Sequence, residues 1–141
     1  MASTARTTEI ETTSGRPRIL LDDTSDTNML YVIASNSDDA VRGVRQILHT
    51  YLGITWGSVV VDQYSKTLTA LGTAADGKTW LMRVSSMNCG FYGSGTYGAA
   101  DILVMLNWGD RQPLIEMLAR ANGPEGRSRH EFHMAELVER Q

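Results

Sequence analysis

The chain is poor in the residues that mark several protein classes. One cysteine, Cys89, among 141 residues excludes a disulfide scaffold. No apolar run approaches the ~18–20 residues needed to cross a bilayer, so no membrane partner is expected. Lysine is nearly missing: only Lys66 and Lys78 join the arginines in a basic total of 13. Asp and Glu number 16, giving a net charge of −3, and no basic stripe is visible. A nucleic-acid partner is therefore not expected. Gly-x-Ser-x-Gly, Walker and His-Glu-x-x-His patterns are all missing, and no cofactor is expected.

What is present suits one folded domain. Apolar residues make up 42% and charged residues 21%, enough for a core and too little charge for a disordered chain. The first 15 residues are rich in Ser and Thr, have no apolar h-region and carry Glu9 and Glu11. They are expected to be neither a secretory signal nor a transit peptide. With one free thiol, the expected location is the cytoplasm. Residues 1–17 are expected to be a flexible tail and 18–141 a single domain.

Ile19–Leu21 and Met29–Ala34 are apolar runs separated by a polar turn, and both favour strand. Asn36 and its serine neighbours can cap a helix whose first turn holds Asp38 and Asp39. Val41, Val44, Leu48 and Tyr51 recur at helical steps, and Gly53 is placed to end that helix in a left-handed cap. Val59–Val61, Leu68–Leu71 and Thr79–Val84 read as a three-strand antiparallel meander with Asp76-Gly77 as its second turn. Ala99–Trp108 reads as a second helix. Asp110 can cap a third, with Leu114, Met117, Leu118 and Ala121 as its apolar face. His130–Val138 fits a strand or a short helix. The predicted fold is α+β: an antiparallel sheet of four or five strands packed on one face by two or three helices.

Two features suggest sites. Gly90, Gly93, Gly95 and Gly98 lie within nine residues and lead into a helix. Glycines let a ligand approach the backbone, and a helix N-terminus offers unpaired amides to an anion. Tyr92, Gly93, Ser94, Gly95, Thr96 and Tyr97 are the candidate contacts for a phosphate-bearing ligand such as a nucleotide or CoA. Gly93-x-Gly95-x-x-Gly98 also spells the dinucleotide fingerprint, but the strand before it belongs to an antiparallel meander instead of a βαβ unit. Gly90-Phe91-Tyr92-Gly93-Ser94-Gly95 resembles the pyrophosphate loop of acetyl-CoA-binding acetyltransferases at two of three fixed positions, with Gly90 where that family has Arg or Gln. The resemblance implies a strand after the next helix, which Asp110–Ala121 does not supply. A Gly-aromatic loop can also simply turn the chain.

The second feature is acidic. Residues 19–62 hold six aspartates against Arg42 and Arg45, a local charge of −4. Asp22, Asp23 and Asp26, with Phe91, are the candidate contacts for a partner protein. The stretch from Asp22 to Asn28 alternates oxygens as a calcium loop does, but Ile33 stands where that loop needs glutamate. Cys89 with His130 or His133 could form a thiol–imidazole pair. The same residues with Glu131 or Glu136 make only a poor zinc set, and no metal is expected. Trp56, Trp80 and Trp108 suit core or interface. Without catalytic motifs, the expected function is a non-enzymatic protein that occupies a partner, as inhibitor, immunity and adaptor proteins do. The alternative is a small-molecule module at the glycine stretch.

Overall fold

The computed structural model describes residues 7–12, 16–62, 65–89, 92–120 and 131–133. Seven strands form one sheet: β1 (Thr7–Ile10), β2 (Arg18–Asp22), β3 (Thr27–Ile33), β4 (Ile54–Asp62), β5 (Thr67–Ala74), β6 (Thr79–Val84) and β7 (Glu131–His133). Their spatial order is β1-β2-β3-β6-β5-β4-β7. Helices α1 (Ser37–Thr50), α2 (Ser94–Met105) and α3 (Arg111–Ala119) complete the described elements.

The α+β class is as expected, but the sheet is mixed and larger than four or five antiparallel strands. Every neighbouring pair is antiparallel except β3 and β6, which are parallel from Thr27↔Thr79 to Val32↔Val84. The cause is α1. It returns the chain to the end of the sheet where β3 began, so β4 runs in the direction of β3. The meander then brings β6 back beside β3 in that same direction. β1 lies inside the stretch 1–17 expected as a tail, and pairs with β2 from Thr7↔Asp22 to Ile10↔Ile19.

Local signals shape the elements. Asn36 caps α1, its Oδ1 accepting from the Asp39 amide at 2.9 Å. The apolar stripe Val41, Val44 and Ile47 is buried. α1 ends at Tyr51, whose amide donates to the Ile47 carbonyl. Gly53 has no positive φ and is not the left-handed cap that was expected. Gly77, at φ +87, does make the β5–β6 turn, and Asp76 accepts from the Lys78 amide at 2.9 Å.

α2 begins five residues earlier than the sequence suggests. It ends in a Schellman arrangement. Asn107 takes the left-handed conformation (φ 68), its amide donates to Val104, and the Trp108 amide donates to Leu103 at 2.9 Å.

One core joins the layers. Ile19, Leu30, Val32, Val59, Val61, Leu68, Met82 and Val84 from the sheet pack with Val44 and Ile47 of α1, Ile102 and Leu103 of α2, and Leu114 and Leu118 of α3. All three described helices therefore cover the same face of the sheet. Trp56, Trp80 and Trp108 are half-buried and pack against that core.

Candidate functional site

From Gly93 onward the glycine stretch forms the first turns of α2. Gly93 is the N-cap of α2, and Gly95, Thr96, Tyr97 and Gly98 lie within the helix. A Cβ on Gly95 would overlap the carbonyl oxygen of Asn88 and stand 2.6 Å from its nitrogen. The missing side chain of Gly95 thus lets the backbone of Asn88 lie against the first turn of α2. Gly98 serves a similar contact, since a Cβ there would sit 2.9 Å from the Cβ of Ser37 at the start of α1. Thr96 is fully buried. Two of the six expected ligand contacts, Gly95 and Thr96, therefore face the interior.

Tyr92, Ser94 and Tyr97 remain on the surface, and Gly93 is half-buried. Tyr92 donates to Glu116 Oε2 at 2.8 Å, and Arg120 pairs with the same carboxylate at 3.1 Å. The Arg111 guanidinium lies 5.8 Å from the centre of the Tyr97 ring and also holds Asp101 at 2.6 Å. Both tyrosines are thus engaged by α3. Gly90 and Phe91 lie outside the described residues. α2 is followed by α3, so the strand implied by the acetyltransferase resemblance is not at that position.

Cys89 is a buried free thiol whose pKa burial pushes up to about 12, partly offset by a hydrogen bond with Thr96. A nucleophile needs the opposite shift. β7, which carries His133, is separated from β6 by β5 and β4. At about 4.8 Å per strand that is roughly 14 Å from the strand leading to Cys89. His130 lies outside the described residues. Among the described residues no group of three or more His, Cys, Asp or Glu is placed to hold a metal ion.

The buried thiol gives a pH prediction. The unfolded thiol ionises near its ordinary value of about 8.5, while the folded one stays protonated until about 12. This contribution is complete below the unfolded value and is lost as pH rises through that window. By pH 10 the wild type should lose about 2 kcal/mol more stability than Cys89→Ala, at about 1.4 kcal/mol per pH unit. Urea unfolding of both proteins at pH 7 and pH 10 measures this, and parallel losses would contradict it.

The acidic candidates lie at one end of the sheet, Asp22 as the last residue of β2 and Asp23 and Asp26 in the turn to β3. Asp22 Oδ1 accepts from both the hydroxyl (2.6 Å) and the amide (3.0 Å) of Thr24. These bonds, the hydroxyl first, hold its carboxyl below the usual carboxylate range. Asp23 and Asp26 are exposed. The polar turn closes on itself through its own side chains, as Asp and Thr commonly arrange.

Beside this turn lies the face of the sheet that no described helix covers. In register across β2, β3, β6 and β5 stand Asp22, Met29, Leu81 and Leu71. The next row on the same face is Leu20, Tyr31, Arg83, Thr69 and Val60. Leu71 and Ile33 are each 44% exposed. The Tyr31 hydroxyl rests on the Met29 sulfur at 3.3 Å, and the Arg18–Glu9 ion pair, at 3.0 Å, closes the β1 side.

Sequence reasoning missed this face, although a signal was present. Met29–Ile33 and Trp80–Met82 are apolar at successive positions, which is the pattern of strands covered on both faces. The three described helices pack on only one.

Comparison with family models, with curated proteins and with solved structures finds no match to this chain.

Proposed function

We propose that this chain is a binding protein without a reaction of its own, and that it docks a partner protein on the open face of its sheet. The observation that carries this is the row Met29–Leu81–Leu71, apolar and outside the core, beginning at Asp22 in the acidic turn. An apolar centre containing a tyrosine and an arginine, with charged groups at its edge, has the composition of a protein interface. Asp22, Asp23 and Asp26 suit a partner whose surface is apolar with basic groups beside it. Such a protein acts by occupying its partner, as inhibitors, immunity proteins and adaptors do.

The alternative, a phosphate-bearing ligand at the start of α2, has less in its favour. The backbone of Asn88 fills the space that Gly95 leaves, and Thr96 is turned inward.

The test is affinity capture from lysate of the source cells. Wild-type protein should retain a partner at low salt and release it progressively as salt rises, because exposed charges are screened. Leu71→Glu with Leu81→Glu should retain at least tenfold less. Equal capture by the variant, or no capture by the wild type, counts against the proposal.

A further inference from the structure

We infer a second binding site, on the helix side of the molecule, for an amphiphilic anion: an apolar chain that ends in a carboxylate or a phosphate. The site is a groove of about 610 Å³ between α1 and the Arg16–Pro17 segment. That volume falls within the range of small-molecule sites.

Its lining combines two kinds of group. Pro17, Leu48 and Leu52 are apolar, and Leu52 is 80% exposed, the most exposed large hydrophobic side chain described. Around them stand Arg16, Arg42, Arg45 and His49. Arg42, Arg45 and His49 are spaced three and four apart, which places them along one side of α1 over roughly 10 Å.

No carboxylate lines the groove among the described residues. Asp39 approaches Arg42 only to 3.8 Å, and the Arg42 side chain is largely exposed, so the pair neutralises little. Arg45 makes no ion pair among the described residues. The chain as a whole carries −3, so Arg42 and Arg45 side by side in the groove do not reflect a general basic excess.

Gln46, which also lines the groove, donates from Nε2 to the Glu11 carbonyl at 2.8 Å. A bare anion would use the arginines and leave Leu48 and Leu52 in water. A neutral hydrocarbon would do the reverse. An amphiphilic anion uses both, with guanidinium forks on its oxygens. This site is independent of the open sheet face.

The experiment is a titration of the full chain with decanoate, decyl phosphate and decanol, read from the methyl resonances of Leu48 and Leu52. One or both anions should give saturable shifts at these methyls, and decanol should bind at least tenfold more weakly. The tighter anion identifies the head group. Arg45→Glu should weaken anion binding at least tenfold, with Arg45→Gln as the milder variant if the first does not fold. Leu52→Ser should weaken it severalfold and leave the melting temperature unchanged. Decanol binding as tightly as the anions overturns the proposal. So does an affinity unchanged by the Arg45 variants, or the lack of saturable shifts at millimolar ligand.

Discussion

Replacing Gly95 by alanine is expected to cost about 2–4 kcal/mol of stability, although alanine is the better helix former by about 1 kcal/mol. The added carbon meets the backbone of Asn88, and a backbone cannot rotate aside as a side chain can. Either α2 lifts from the segment before it or that segment moves, and both open the core around Met87 and Thr96. Gly53→Ala is the internal control. Nothing lies within 4 Å of a Cβ there and φ is not positive, so alanine should stabilise by about 0.4–1 kcal/mol through the unfolded chain. Urea unfolding of the two variants should therefore give opposite signs. A neutral Gly95→Ala would mean that Asn88 does not close the start of α2, and the anion cradle would regain its case.

The same glycine marks where sequence reasoning and structure part. A run of glycines reads as a loop because each lowers helix propensity, and the second helix was accordingly expected from Ala99. α2 instead starts at Ser94, because glycine at positions 95 and 98 lets the helix approach Asn88 and Ser37. Propensity is a property of the local chain, whereas close approach depends on residues distant in sequence.

Elements with strong local signals were legible. α1 has its cap and its stripe, the meander from β4 to β6 has alternation and the Asp76-Gly77 turn, and α3 has its apolar face. The parallel pairing of β3 with β6 was not legible, since it joins strands 52 positions apart in register and no local pattern encodes it. β1 was missed because Thr7–Ile10 is short and mostly polar, with three exposed residues at the sheet edge. The acidic half of the candidate site was legible as charge. The apolar half was not, because which face of a strand stays open depends on where the helices land.

The second large effect contrasts the two faces of the sheet. Leu30, on the core face of β3, is fully buried, and Leu30→Ala should cost about 3–4 kcal/mol through lost burial and the cavity left behind. Leu71 lies on the open face of β5 and is 44% exposed. Leu71→Ala should cost about 1 kcal/mol or less, since much of its surface is already in water. Equilibrium unfolding reads both. A loss at Leu71 as large as that at Leu30 would mean that something within the chain covers this face, and the docking proposal would lose its basis.

The most direct test of the docking proposal uses single thiol labels on the captured complex. In a Cys89→Ala background, Leu71→Cys reports the open face and Gln112→Cys reports the exposed side of α3. In the free protein both thiols should alkylate readily. In the complex the label at position 71 should slow at least tenfold, while that at 112 keeps its rate. Protection at 112 with free access at 71 would place the partner on the helices and contradict the account.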